Sequence, residues 1–281
     1  MITFTPTPLN KGLTLFFLAC LLSACGGSND FPPVVTGVKV QSAQYGKTAI
    51  IYIDGKDLRS NLSIDTSGSC TSPTFAINSS TDTLVLNCVV SKVGDFPVVV
   101  QNAQGLAIYT ANLNIPMPQV QLVTSKGSIT VELDPTRAPL SSNNFLSYVS
   151  KGFYRSTLIH RVIPNFVVQG GGYTMGMAKK FEQSPAIELE SNKGLSNLRG
   201  SLAMARTSLP NSATSEFYVN LADNPSLDYK NAANPGYAVF GRVVQGMEVV
   251  DAIAAEPTGV FGNMSDVPLV DISLSMALQV K

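Results

Sequence analysis

Tryptophan is absent from these 281 residues, histidine occurs once and cysteine four times. One imidazole and this cysteine spacing do not make a zinc site, and no metal is expected. Charge is scarce and balanced: charged residues are 14% of the chain, with 19 Lys+Arg against 19 Asp+Glu. The basic footprint of a nucleic-acid binder is missing, as is a basic helix that would adhere to anionic lipid. There is no internal repeat and no low-complexity segment. Hydrophobic residues make up 44%, enough for packed cores and against disorder. The length suggests two domains.

Near the N-terminus Lys11 is the only charge ahead of an apolar run from Leu13 to Leu22. The run falls short of the ~20 apolar residues a membrane-spanning helix needs, and it fits the apolar region of a secretory signal. It ends in Leu22-Ser23-Ala24-Cys25-Gly26, which resembles the bacterial lipobox. That resemblance implies a signal peptide over 1–24, cleavage before Cys25, a diacylglycerol on its sulfur and an acylated (palmitoylated) amine. Several acyl chains anchor stably where one does not. Residues 25–32 then form a tether, and Gly26 in place of Asp implies sorting to the outer membrane, facing the periplasm. An ordinary signal with an incidental cysteine is the alternative. Cys20 leaves with the signal, so Cys70 and Cys88 remain as an even pair in an oxidising compartment. A disulfide between them is expected, contributing about 3 kcal/mol in the chain-entropy picture; two buried thiols are the alternative.

Between residues 33 and 115 short runs alternate in polarity at Gly37–Val40, Ala49–Ile53, Thr83–Val90, Pro97–Val100 and Leu106–Leu113. Turn-rich stretches, Asp54–Asp57 and Asp65–Pro73 among them, separate the runs. The pattern predicts a small antiparallel sandwich, and Ile51–Leu58 resembles Ig-like or IPT-type modules. Ile115-Pro116-Met117-Pro118 reads as a stiff linker. Residues 116–281 then change character. A hairpin is predicted around Ser125-Lys126-Gly127, helices over Leu140–Lys151 and Met247–Ala255, and strands over Thr157–Ile163, Phe166–Gln169, Gly200–Arg206, Glu216–Leu221, Ala238–Val244 and Val270–Gln279. Strands in series with two helices predict a mainly β fold, a closed barrel capped by both helices.

Four blocks in this second part carry chemistry. They are Ile159-His160-Arg161-Val162-Ile163-Pro164-Asn165-Phe166-Val167-Val168-Gln169-Gly170-Gly171-Gly172, Leu202–Arg206, Ser215–Asn220, and Tyr237–Val244 with Gly246-Met247. In this order they resemble the cyclophilin-type peptidyl-prolyl cis-trans isomerases, above all the bacterial periplasmic members, over roughly Pro118 to Lys281.

The resemblance implies rotation about X–Pro amides. Resonance sets that barrier near ~20 kcal/mol, so uncatalysed turnover takes about 10–100 s. No bond breaks; the twisted amide must be favoured over the planar one. Its nitrogen lone pair then accepts a hydrogen bond, for which a guanidinium is a strong and always charged donor. By this resemblance Arg161 is that donor, Phe166 floors the proline pocket and Gln169 positions Arg161. Val167, Tyr218 and Leu227 line the walls, Tyr237 closes one side, and Ala203, Met204 and Ala205 offer backbone groups to the preceding peptide. Proline-containing polypeptides are the expected substrates, with no cofactor, and nothing demands more than a monomer. A surface ion pair for Arg161 and plain core packing for the aromatics are the readings without the resemblance.

Strand alternation points His160 away from Arg161, and no nucleophile accompanies it. Glu216 stands where the family usually has Gln. It could pair with Arg161 and hold it back, orient it, or turn to water; activity at a reduced level is expected. Val167 replaces a common Met, and Ser226 falls where cyclosporin-sensitive relatives carry Trp, which implies weak cyclosporin binding. A catalytically weak module that holds proline-containing segments of an envelope partner is the rival reading.

Overall fold

The computed structural model describes residues 32–58, 62–181 and 184–281. The expected signal segment over 1–24, Cys25 and nearly all of the expected tether lie outside the described residues. Ahead of residue 116 come β1 (Val34–Gln41), β2 (Thr48–Lys56), β3 (Ser63–Asp65), β4 (Cys70–Phe75), β5 (Thr83–Val90), β6 (Gly94–Gln101) and β7 (Ala107–Ile115). They form two antiparallel sheets, ordered β1-β2-β5-β4 and β3-β6-β7. Alternation builds the core between them: Ala49, Ile51 and Ile53 of β2 are buried on one face, while Thr48, Ile50 and Tyr52 face outward. Ile51, Ile53 and Leu86 of one sheet meet Val98, Val100 and Leu113 of the other in a single apolar cluster. Cys70 and Cys88 are joined as a disulfide across the neighbouring strands β4 and β5.

Two stretches read as turns are strand in part, while residues 66–69 do turn. Asp54-Gly55-Lys56 continues β2, because Gly55 lets the backbone pass against β1; a Cβ there would lie 2.1 Å from the Val34 carbonyl oxygen. Residues 70–75 form β4 in spite of Pro73, because β4 is a sheet edge where a missing N–H costs no ladder bond.

The remaining elements are β8 (Gln119–Thr124), β9 (Gly127–Leu133), α1 (Pro139–Ser150), β10 (Thr157–Ile163), β11 (Val167–Gly170), β12 (Tyr173–Thr174), β13 (Ala178–Lys179), β14 (Ser201–Met204), β15 (Phe217–Asn220), β16 (Val239–Gln245), α2 (Met247–Ala254), β17 (Thr258–Phe261), β18 (Met264–Pro268) and β19 (Ile272–Gln279). Eight strands close a barrel in the order β10-β11-β15-β14-β16-β9-β8-β19. Inside it Phe145 of α1 packs with Tyr154, Phe217 and Phe240 at centroid distances of 5.1–5.4 Å. Val250 and Ile253 of α2 are buried with Leu122, Ile129 and Leu274. The hairpin of β17 and β18 and the pair β12–β13 carried too little periodicity to be anticipated.

Helix α1 starts at a proline, which suits its first turn, but Ala138 supplies no side-chain cap. Buried Glu190 caps it from a distance: Leu140 N donates to Oε1 at 3.0 Å, and Ser141 N and Oγ donate to Oε2 at 2.7 and 2.9 Å. The carboxylate thus meets orphan N–H groups at the positive end of the helix dipole. Residues Pro33–Lys281 cluster as one compact unit. Tyr45, from the loop between β1 and β2, is buried in the barrel's own cluster, and Gln279 Nε2 donates to its carbonyl at 3.0 Å.

Replacing Cys70 and Cys88 together by Ala is expected to lower unfolding free energy by about 3 kcal/mol. Glu190→Ala should cost about 1–3 kcal/mol, since it strands buried donors. Urea unfolding checks both, and an unchanged midpoint in either variant removes the corresponding role.

Candidate active site

The site grows from one row of residues across the barrel. In the ladder Arg161 of β10 stands opposite Gln169 of β11, Gln169 opposite Tyr218 of β15, Tyr218 opposite Ala203 of β14, and Ala203 opposite Val239 of β16. Directly opposed residues point to the same face, so closure of the sheet lines these side chains up. The chain between β10 and β11 then turns at Pro164-Asn165. Phe166 N donates to Ile163 O at 3.0 Å and Asn165 has φ +61°, which fits a type II turn with Pro in its second position. That turn brings Phe166 beside the row. Its carbonyl is held by Leu221 N at 2.9 Å and Asn224 Nδ2 at 3.0 Å.

A cavity of about 140 Å³ results, lined by Arg161, Phe166, Val167, Gln169, Ala205, Arg206, Tyr218, Leu227 and Tyr237. All but Arg206 among them are residues the sequence had singled out. Ala203 lies beneath, in a small apolar cluster with Val167, Tyr218 and Val239. Met204 does not reach the cavity; its side chain is buried in the barrel core. The N–H groups of Met204 and Ala205 donate to Ala238 O and Glu216 O, both at 3.0 Å, so a peptide cannot use them as free donors. Ser226 is exposed beside Leu227. Glu216 lines an adjoining polar groove with Tyr173, Lys179 and Arg206.

Tyr218 is almost wholly buried, and its hydroxyl donates to Asn197 Oδ1 at 2.8 Å. Burial, and after it the neighbouring Tyr237 and Asp228, pushes that phenol far above its ordinary value, so it stays neutral. Asn197 is itself fixed by Asp228, whose Oδ1 accepts from its N and Nδ2 at 2.7 and 2.9 Å. Tyr237 packs edge-on to Tyr218, and the Arg206 guanidinium lies 4.4 Å from the Tyr237 ring centre. Asn197 and Asp228 were missed, because they sit in irregular segments with no periodic signal, and Arg206 lies just past the end of β14, the strand expected to carry it.

Arg161 is about one-third exposed, and among the described residues two groups face its guanidinium. Gln169 Oε1 accepts from Nη1 at 3.4 Å, and Asp266 Oδ2 lies 3.8 Å from Nε. Asp266 comes from the unforeseen β18, in a left-handed conformation with φ +60°. Glu216 does not pair with Arg161. Its Oε2 accepts from Gln169 Nε2 at 2.9 Å and lies 3.3 Å from His160 Nε2. The pairing of Ile159 with Gly170 and Arg161 with Gln169 leaves His160 as the extra residue of a β-bulge. The bulge breaks strict alternation, so His160 enters the same chain of contacts as Arg161 instead of pointing clear of it. Burial raises the Glu216 carboxyl pKa, but the hydrogen bonds from His160 and Gln169, with Lys179 nearby, bring it below its ordinary value of 4.5. Gly172 makes room for this carboxylate; a Cβ there would lie 2.5 Å from Glu216 Cγ.

Comparison with known proteins places these features in a family. The profile described as "Cyclophilin type peptidyl-prolyl cis-trans isomerase/CLD" matches residues 119–276. A "Peptidyl-prolyl cis-trans isomerase" of Acinetobacter baylyi is 48% identical over 162 residues, 58% of this chain and 85% of that protein. "Peptidyl-prolyl cis-trans isomerase B" of Escherichia coli is 45% identical over 151 residues, 53% of this chain and 92% of that protein. A crystal structure of a Cryptosporidium parvum cyclophilin type peptidyl-prolyl cis-trans isomerase, in the presence of the dipeptide ala-pro, superposes with TM-score 0.50 at 26% identity, covering 58% of this chain and 99% of that one.

The depressed Glu216 pKa has a stability consequence. A carboxyl whose folded pKa lies below its unfolded one stabilises above the unfolded value and loses that contribution as pH falls through the folded one. Urea unfolding from about pH 7 to about pH 3 should therefore lose less stability on the acid side in Glu216→Gln than in the native chain. Identical acid limbs would show that the carboxylate is not held this way.

Proposed function

This chain belongs to the cyclophilin-type peptidyl-prolyl cis-trans isomerase family, and from that premise we propose that it catalyses X–Pro rotation in exported polypeptides with Arg161 as the donor to the prolyl nitrogen. The observation that carries the assignment is the cavity in which Arg161 and Gln169 face Phe166, Val167, Tyr218, Leu227 and Tyr237. The apolar walls take the proline ring out of water. In the twisted amide the nitrogen regains its lone pair, and a charged N–H donor at the rim stabilises that state more than the planar one. Phe166 is anchored through its backbone and Tyr218 through its hydroxyl, so the pocket is set before substrate arrives. Lowering the barrier by about 7 kcal/mol corresponds to a rate gain of roughly 10⁵.

The outer parts of the chain support a cellular setting. The lipobox-like Leu22–Cys25 supports a signal over 1–24, a lipid on Cys25 and a tether over 25–32. An outer-membrane anchor facing the periplasm would place the isomerase domain, 116–281, where secreted chains fold. The two sheets of residues 33–115 support an Ig-like sandwich that serves as a spacer. The Cys70–Cys88 disulfide fits an oxidising compartment.

NMR exchange on a short X–Pro peptide tests the activity with the full chain. Acceleration is expected, and Arg161→Ala should reduce it by about 10²–10³-fold, as loss of a charged transition-state donor does. Peptide binding without acceleration would establish the weak binding module instead. Cyclosporin should bind more weakly than about 1 μM by calorimetry, because exposed Ser226 offers neither an indole donor nor a large apolar face. Tighter binding would overturn the role given to that position.

A further inference from the structure

Gln169 can serve Arg161 only in one orientation. A side-chain amide has an acceptor on one arm and donors on the other, and a guanidinium can only donate. A turn of the amide by half a revolution would set two donors face to face at Arg161. What fixes the orientation lies behind Gln169. The Glu216 carboxylate can only accept while ionised, so it takes the Nε2 arm of Gln169, at 2.9 Å, and leaves Oε1 toward Arg161. Glu216 is in turn met by His160, whose side chain is 3% exposed and whose Nε2 is 3.3 Å from the same Oε2.

His160 has the marks of a placed group. Its other ring nitrogen, Nδ1, is buried with no hydrogen-bond partner among the described residues. A bare ring nitrogen is less costly there than an unpaired N–H, so the proton of the neutral ring belongs on Nε2, facing the carboxylate. Tyr173 packs on the ring at 4.6 Å and fixes its plane. The β-bulge that turns His160 into the network, and the missing side chain at Gly172 beside Glu216, complete the arrangement.

We propose that His160 is a positioning residue: it donates to Glu216 and, through that carboxylate, holds the Gln169 amide with its oxygen toward Arg161. This rests on the reading of Arg161 as the catalytic donor. His160 keeps Glu216 ionised in a buried place. The groups that face the carboxylate are His160 from β10, Gln169 from β11 and Lys179 from β13, with Arg206 lining the same groove. Without the His160 donor, burial dominates and the carboxyl takes up a proton more readily. A protonated carboxyl can itself donate, and Gln169 is then free to turn its amide toward Arg161.

The test measures isomerisation by the full chain between about pH 8 and about pH 5.5, in steps that resolve kcat from KM. In the native chain kcat should change by less than about twofold across that range. In His160→Phe it should fall severalfold toward the acid end with KM little moved, because the buried carboxyl takes up a proton more readily without its His160 donor. Combining His160→Phe with Glu216→Gln removes the titrating group, and the pH dependence should vanish. A folded His160→Phe chain with the native kcat and a flat profile overturns the proposal, and so does a double variant that keeps the acid loss. If His160→Phe does not fold, exchange of the Gln169 side-chain amide protons decides in the native chain and in Glu216→Ala. They should be protected in the first and unprotected in the second; unprotected protons in the native chain overturn the proposal. An inactive native chain with protected protons would instead sink the isomerase reading and leave the positioning intact.

Discussion

Closure of the barrel is the constraint from which the rest follows. Eight short strands, several only four residues long, have no free edge once β19 pairs with β10. Closure fixes the register of each strand against the next, and register fixes which side chains share a face. Arg161 and Gln169 belong to strands joined by a short turn, whereas Ala203 and Tyr218 come from strands much further along the chain. The sheet brings them into one line without any of them contacting its sequence neighbours for that purpose. The aromatic interior around Phe145 and Phe217 makes this frame stiff, because a filled barrel has no slack into which a strand can shift.

Rigid backbone alone does not give a directed guanidinium. A long side chain at a rim loses considerable rotamer freedom when it is held. The structure divides that cost among neighbours: Gln169 on one side of Arg161, Asp266 on the other, and behind Gln169 a buried acid and imidazole. The apolar side of the cavity is supported in the same way, by Asn197, Asp228 and Asn224 beneath Tyr218 and Phe166. Polar groups set back from the cavity thus hold the groups that line it, which is the usual arrangement of preorganised sites.

Much of this was legible in the residues. The barrel strands and both helices announced themselves by periodicity, and blocks such as His160–Gly172 named the cavity wall almost completely. What stayed hidden has common causes. The β17–β18 hairpin is short and carries Gly, Pro and Asp, so Asp266 gave no hint that it would approach Arg161. Strict alternation misdirected the reading of His160, because a bulge is a one-residue event with no compositional mark. Glu216 posed a charge question that only geometry could answer: its partners are the Gln169 amide at 2.9 Å and the His160 imidazole at 3.3 Å, both from an earlier block. Glu190 capping α1 joins residues about fifty positions apart, a distance over which local sequence rules are silent.

The outermost strand of the first sheet has a bearing on the company such a protein keeps. β4 is an open edge, and an edge of unpaired backbone groups is a template for any extended chain. Its register breaks between Thr71 and Thr74, Ser72 stands in a left-handed conformation, and Pro73 has no N–H to offer. An isomerase spends its working life among unfolded polypeptides, the partners most ready to add a strand. At β4 the bulge, the left-handed Ser72 and Pro73 spoil that template, so an extended client chain finds no regular ladder to join along this edge.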